Sequence, residues 1–233
     1  MQLATGVLLF WKRPENLLRI IDRMLAEKWI ARIVVWSNRS KLTTARFRTM
    51  LRNRFPLYPP EVIGSGTNVY TFGRYLAVQA AETDLIVTCD DDCVVDNWHD
   101  LACTQAKSGR LVANIQPRHY DHFVGRGWTH PYSGGVAYEA LVGWGAAFDR
   151  STTLVFDRYI AKFGVDALLH RKAARFFTML QDREHVLLRH AVENLPGCEG
   201  AEALYGMPDH WTLNREAVQR SVEILEAEAC IES

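Results

Sequence analysis

The stretch "DLIVTCDDDCVVDNW", residues 84–98, decides how this chain is read. An apolar run ends in three consecutive aspartates, Asp90, Asp91 and Asp92, and then turns apolar again. The run has the length and composition of a buried strand. Three adjacent carboxylates repel one another and do not belong inside a strand, so they mark its end. Such a triplet has three readings. It is a solvated acidic turn with one aspartate capping the next helix. It is a site for a hard divalent cation, Mg2+ or Mn2+, that carries phosphates. Or it is an acid–base pair. Asp96 and Asn97 already offer the capping service before "WHDLACTQA".

The elements around the triplet weigh on that choice. "LATGVLLF" reads as a first buried strand. In "WKRPENLLRIIDRMLAEKW", Leu17, Leu18, Ile21, Met24 and Leu25 recur at helical spacing, and Pro14 sits where a first helical turn tolerates it. "ARIVVWSN" is a second strand, and "LTTARFRTMLRNRF" a helix stopped by Pro56. "PEVIGSG" is a short third strand, "TFGRYLAVQAAE" a helix, and "DLIVTC" the fourth strand. Strand and helix alternate, which predicts a mostly parallel sheet with helices on its faces. Ligands of such sheets bind outside the carboxyl ends of the strands. The three aspartates stand at the carboxyl end of the fourth strand, which favours a cation holding a nucleoside diphosphate.

The second half is mixed. "RLVANIQP" is a strand, and "GGVAYEALVGWGAAFDR" holds one or two strands around a glycine-rich turn. Helices are expected at about 151–163, 166–180 and 183–194. "GCEGAEALYGMPDHWT" is a loop, and "NREAVQRSVEILEAEA" a final amphipathic helix. No repeat or linker interrupts the pattern, so one α/β domain over residues 1–233 is the economical expectation.

Composition is that of an ordinary globular chain, with 48% hydrophobic and 23% charged residues and a formal net charge of zero. The five cysteines, Cys89, Cys93, Cys103, Cys198 and Cys230, form no CxxC pair and point to reduced, incidental thiols. "MQLATGVLLFWKRP" lacks a basic leader, and no apolar run reaches membrane length, so a cytoplasmic protein without a membrane span is expected. The neutral total hides an asymmetry. From Trp29 to Pro60 there is no acidic residue, while Arg32, Arg39, Lys41, Arg46, Arg48, Arg52 and Arg54 fall there. Lys41, Arg48 and Arg52 are spaced for one helix face. The segment 32–54 is either a solvated basic helix or a polyanion-binding face beside the site.

"TDLIVTCDDDCVV" resembles the Asp-x-Asp segment of nucleotide-sugar glycosyltransferases with the GT-A fold, and most nearly the exostosin-like C-terminal glycosyltransferase domain. "RIVVWSN", "FGRYLAVQAAETDLIVTCDDD", "NIQPRHY", "YEALVGWGAAFDR" and "YGMPDHWTLNREAVQRSV" resemble that family's segments in the same order. The resemblance implies a single GT-A, Rossmann-like domain, with residues 1–96 as nucleotide-binding half and 97–233 as acceptor-binding half. It implies a UDP-sugar donor, a Mn2+ or Mg2+ ion, and transfer of a hexosyl or N-acetylhexosaminyl group to an acceptor hydroxyl with retention of configuration. Asp92 would bind the metal, and Asp90 the ribose or metal, with Asp91 in the donor site or no more than part of the turn. Arg13 and Asn38 would lie near the uracil, and Arg74 would reach the diphosphate or sugar. Each of these three also reads as an ordinary surface or turn residue.

The chemistry supports the implication independently. A departing nucleoside diphosphate needs its developing charge neutralised, and a divalent cation with nearby arginine or histidine does so. His210, in "GMPDHW", is a candidate metal ligand or phosphate contact, or a structural histidine; Trp211 beside it covers the nucleotide or belongs to the core. Glu184 and Asp182, in "LQDREHVLLRH", are the acid–base candidates at an expected helix start, Asp182 doubling as a helix cap. The acceptor is a glycan, a small molecule, or DNA carrying hydroxymethylated pyrimidines held by the basic segment. For a base to be reached in a duplex, Arg126 and Trp128 in "HFVGRGWTHPYSGG" would assist flipping. Two other classes compete. A sugar-1-phosphate nucleotidyltransferase would carry a glycine-rich loop where this chain has "FWKRPEN". A nucleotide-binding module without catalysis would bind the diphosphate and go no further.

Overall fold

The computed structural model describes residues 2–38, 44–64, 66–120, 130–132, 135–137, 139–197 and 207–232. In chain order these form β1 (Ala4–Phe10), α1 (Pro14–Ala26), β2 (Ile30–Ser37), α2 (Thr44–Arg54), β3 (Glu61–Gly64), α3 (Phe72–Val78), β4 (Leu85–Cys89), β5 (Cys93–Val94) and α4 (Trp98–Ser108). Then follow β6 (Val112–Ile115), β7 (His130–Tyr132), β8 (Gly135–Ala137), β9 (Ala146–Asp149), α5 (Val155–Phe163), α6 (Ala167–Met179), β10 (Val186–Arg189), β11 (Glu193–Asn194) and α7 (His210–Glu232).

The apolar runs build one seven-stranded sheet in the order β10-β6-β9-β4-β1-β2-β3. Strand pairs are parallel except along β9, which runs antiparallel to both β4 and β6. Side chains alternate across it with period two. Val7, Val34, Ile86 and Phe148 face one layer, formed with α3, α5, α6 and α7. Leu8, Val35, Val87 and Ala147 face the other, formed with α1, α2 and α4. Both faces are covered, so the central strands are apolar on both sides, which is why they read as unbroken runs. Aromatic rings fill the layers. Phe10 stacks on Phe47 at 4.1 Å, and Phe177 packs against Tyr75, Phe148 and Phe156.

Three expectations are corrected. Residues 183–194 are not a helix. Val186–Arg189 is the edge strand β10, parallel to β6, and Glu193–Asn194 pairs antiparallel with β5. A short apolar run such as "VLL" carries no period that separates strand from helix. The open edge of β6 decides the matter by offering unpaired backbone groups. Asn97 does not cap α4 with its side chain. It exchanges two 2.9 Å hydrogen bonds with the Asn114 amide instead. The helix expected from about 151 opens as a 3-10 turn over Arg150–Leu154 and becomes α-helical at Val155.

Cys89, Cys93 and Cys103 form no disulfide among the described residues, and Cys198 lies outside them. Among the described residues, no helix is long and apolar enough to cross a membrane.

Candidate functional site

The carboxyl edge of the sheet opens into a cleft of about 750 Å3. The turn after β1, the triplet after β4, the segment Glu139–Trp144, and the facing sides of α3, α6 and α7 line it. Two lining residues, Lys12 (φ 68°) and Tyr70 (φ 48°), hold left-handed backbone without being glycine. Such strain costs about 1 kcal/mol or more per residue and collects at functional sites.

The three aspartates have separate environments. Asp91 is buried and tied: its carboxylate accepts from the Trp11 amide at 3.1 Å and from Arg13 Nη1 at 2.6 Å. Its backbone carbonyl accepts from Asn16 Nδ2 at 3.1 Å. Burial nevertheless pushes its carboxyl up to about 6, against the pull of Arg13. Asp90 and Asp92 keep 43% and 25% of their side chains exposed to the cleft. The Asp90 amide donates to the Gly143 carbonyl at 2.8 Å, and its carboxylate takes a hydrogen bond from Arg74. Burial, then the charges of Asp90 and Asp91, push Asp92 up to about 7.

Arg74 comes from α3 and is 1% exposed. Burial works against its charge, but Asp90, together with Tyr75 and Cys89, holds its pKa above the usual arginine value. Its Nε has no partner among the described residues. Gly143 makes room for this arrangement, because a Cβ there would run into the Asp90 carboxylate. Gly143→Ala should therefore displace a carboxylate already pinned by Arg74. Folding changes by no more than about 1.5 kcal/mol, since the displaced group is half exposed. Metal-dependent nucleotide binding should weaken roughly tenfold or more. Calorimetry with UDP and Mn2+ checks this, and unchanged affinity would show that the Asp90 position does not matter.

On the opposite wall, Glu139 has only 4% of its side chain exposed and is held in a fork by Arg175, at 2.8 and 3.1 Å. Burial raises its pKa to about 7, over the opposing pull of Arg175 and Lys172. A carboxyl raised in the folded state binds a proton there between its ordinary value and about 7. It costs stability as pH rises through that window. The melting temperature of the wild type should thus fall relative to Glu139→Gln between about pH 5 and about pH 8. A relative rise would mean that Arg175 stabilises the carboxylate more than burial penalises it.

A divalent cation suits the donor set. Asp90 and Asp92 offer hard oxygens exposed to the cleft, and their mutual repulsion is relieved by positive charge. The described residues hold no group of three His, Cys, Asp or Glu side chains able to enclose an ion. A cation here would be held by Asp92, with Asp90, and by ligand oxygens, the usual arrangement for Mg2+-type ions on phosphates.

No protein-family model and no curated protein matches the sequence. Solved structures do match the architecture. A mannosyltransferase, PcManGT from Pyrobaculum calidifontis in complex with GDP-Man and Mn2+, superposes with a TM-score of 0.59 at 14% identity, over 97% of this chain and 68% of that one. S. aureus TarS 1–349 in complex with UDP superposes with a TM-score of 0.52 at 14% identity, over 94% of this chain and 65% of that one. Glucosyl-3-phosphoglycerate synthase from Mycobacterium tuberculosis, with Mn2+, UDP and phosphoglyceric acid, gives 0.51 at 10% identity, over 96% of this chain and 78% of that one. This chain has the GT-A fold. It spans about two thirds of the length of the first two of these structures.

The GT-A cleft gathers Arg13, Asn38, Arg74, Asp90, Asp91, Asp92 and His210. Their local roles differ from the simplest expectation. Arg13 braces Asp91 and donates to the Gly197 carbonyl at 2.5 Å. Asn38 is buried and spends its amide on the chain: it accepts from Trp36 Nε1 and the Val69 amide and donates to the Tyr70 carbonyl. His210 opens α7 with Nδ1 at 3.2 Å from Lys172 Nζ and Nε2 at 2.9 Å from the Asn214 amide. Trp211 is 69% exposed and is not part of the core.

Asp182 and Glu184 are not brought to the cleft. They precede β10, which is parallel to β6, so their turn lies at the amino edge of the GT-A sheet. There Asp182 pairs with Arg158, and its side chain is 86% exposed. The basic segment is also drawn away from the triplet. Arg32 pairs with Glu61 and Glu82, Arg54 pairs with Asp22, and Arg48 donates to the Val62 carbonyl. Arg39, Lys41, Arg126 and Trp128 lie outside the described residues.

Sequence reasoning missed Glu139, Arg171, Lys172 and Arg175. The signal was present in "LLHRKAARFF", where three cations interrupt a helix whose Leu168, Leu169, Ala173, Phe176 and Phe177 are buried. Charges inside an apolar helical pattern mark an edge facing something other than the core.

Proposed function

We propose that this chain is a metal-dependent glycosyltransferase that moves a hexosyl or N-acetylhexosaminyl group from a nucleoside-diphosphate sugar, of the UDP type, to an acceptor hydroxyl. The observation that carries the reading is the convergence of Asp90, Asp92 and the buried Arg74 in one cleft at the carboxyl edge of a GT-A sheet. The GDP-Man, UDP and Mn2+ of the structural neighbours support the same ligand class.

In this reading a divalent ion, when bound, offsets the charge that builds on the departing diphosphate. The chain's own residues do the rest. Asp90 and Asp92 present carboxylate oxygens, and Arg13 with the Trp11 amide fixes Asp91 so that its neighbours point outward. Arg74, itself 1% exposed, adds a fixed positive charge that water screens little. Asp182 and Glu184, at the opposite edge, take no part. For inversion, the cleft carboxylate that could accept the acceptor proton is Glu139, once released from Arg175. For retention, which the resemblance to the exostosin-like domain implies, the departing phosphate takes that proton. The anomeric configuration of the product, read by NMR, separates the two.

The test is donor hydrolysis and transfer. UDP-sugars and GDP-mannose are incubated with Mn2+ and a panel of simple glycans and duplexes bearing hydroxymethylated pyrimidines, and products are followed by mass spectrometry. Nucleotide binding without turnover of any donor would leave a binding module. No response to any nucleoside diphosphate would remove the reading. No observation favours DNA over a glycan as acceptor, because the described arginines of the basic segment are largely engaged at the far edge.

A further inference from the structure

The far wall of the cleft carries more positive charge than a diphosphate and a neutral sugar require. Among the described residues, seven lysine and arginine side chains line the cleft against four carboxylates. Three of those carboxylates already hold an arginine each: Asp91 holds Arg13, Asp90 holds Arg74, and Glu139 holds Arg175. A divalent cation and the diphosphate of a donor bring about two charges each, of opposite sign, and leave the surplus untouched.

Lys172 concentrates that surplus. It is 7% exposed and lines the cleft. Among the described residues it forms no ion pair, while its neighbours on α6, Arg171 and Arg175, pair with Asp209 and Glu139. Its ammonium lies 3.2 Å from Nδ1 of the His210 ring, not beside a carboxylate. The other ring nitrogen, Nε2, lies 2.9 Å from Asn214 Nδ2. A buried ammonium without an ion pair among the described residues is costly, and folding alone gives little reason to keep it. Lys172 is also the residue at which α6 leaves helical geometry (φ −120°, ψ 18°). Arg118, after β6, lines the same cleft, is exposed, and pairs with no carboxylate among the described residues.

We infer that Lys172, with Arg118 and the Arg171 side of α6, forms a subsite for an anionic group additional to the donor's diphosphate: a phosphate or carboxylate carried by the acceptor or by the donor sugar. The inference rests on the transferase reading and narrows its substrates. The competing assignment is that Lys172 binds the donor's diphosphate itself.

Calorimetry on the full chain with Mn2+ separates them. One arm compares UDP-glucuronic acid with UDP-glucose, which differ by a carboxylate on the sugar. The other compares glycerol 3-phosphate with glycerol. UDP alone is the reference, and Lys172→Met and Arg118→Gln are measured beside the wild type. The wild type should prefer the anionic member of one arm by about tenfold or more, the worth of a charge-assisted contact. Lys172→Met should erase that preference and leave UDP affinity within about threefold. The arm that responds tells whether acceptor or donor sugar carries the anion. Arg118 is exposed, so Arg118→Gln reports on the subsite even if Lys172→Met does not fold; it should lower the same preference.

Absence of an anionic preference in both arms overturns the inference. So does a tenfold loss of UDP affinity in Lys172→Met, which would give the lysine to the diphosphate. Failure of the wild type to bind UDP or GDP would instead sink the transferase reading. The glycerol 3-phosphate arm needs no nucleotide and would still read the subsite.

Discussion

Replacing Asp92 with alanine should abolish the Mn2+-dependent thermal shift with UDP and lower transfer by at least about a hundredfold, the scale of losing a group that offsets transition-state charge. The fold should survive. Asp92 is pushed toward its protonated form by burial and by Asp90 and Asp91, so its removal relieves repulsion. The melting temperature without ligand should stay level or rise. The contrast between an intact fold and lost metal-dependent binding is the informative result. A variant that kept its Mn2+-dependent UDP shift would take the metal away from the triplet. Nucleotide-free unfolding at the same pH controls for stability.

Gly73→Ala should show the opposite pattern, a large loss of stability from one methyl group. Gly73 lies in α3, and a Cβ there would run into the Trp36 ring. Trp36 is 7% exposed and donates from Nε1 to Asn38 Oδ1 at 3.2 Å, so it has little freedom to yield. The same Asn38 oxygen accepts from the Val69 amide, and its nitrogen donates to the Tyr70 carbonyl at 3.0 Å. Moving the ring therefore disturbs the turn that leads into α3 and Arg74. Overpacking of this kind costs about 3 kcal/mol. For a chain of this size that is a fall in melting temperature of roughly 6–12 °C. A change within about 2 °C would show that Trp36 repacks freely. UDP affinity should fall as well, because Arg74 is the next residue along α3.

These variants bear on different parts of what the sequence makes legible. The triplet could be placed at the ligand edge because its strand is apolar throughout and follows three strand–helix alternations. Periodicity carries that information locally. The division of labour inside the triplet is another matter. Asp91 is distinguished from Asp90 and Asp92 by its shorter contact to Arg13, 2.6 Å against 3.4 Å for Asp92, from seventy-eight residues upstream, and by the Trp11 amide. Neither contact leaves a mark in "CDDDC". Asn38 shows the reverse case. It stands in the cleft as expected, but its amide is consumed in holding the turn at Val69 and Tyr70.

Asp182 and Glu184 read as helix-start acids because "VLLRH" can be written on a helix or a strand. Their placement depends on whether residues 186–189 find an edge to join, and β6 supplies it. Once they do, a parallel strand carries its preceding turn to the amino edge, away from the cleft. Glu139 was passed over for a related reason. It lies in the glycine-containing segment already noted, but its burial and its fork with Arg175 are set by α6 packing across from it.

By itself, then, the sequence determined the alternation of elements in the first half, the mostly parallel character of the sheet, and the place of the triplet at the end of β4. Each is written in the spacing of apolar residues within a dozen positions, and burial on one or both faces enforces it. Only the tertiary structure decided which carboxylates face the cleft, which arginines are spent on bracing, and where Lys172 sits without an ion pair among the described residues. Those outcomes depend on charges and backbone groups brought together from distant positions. Their cost or benefit exists only once water has been excluded between them.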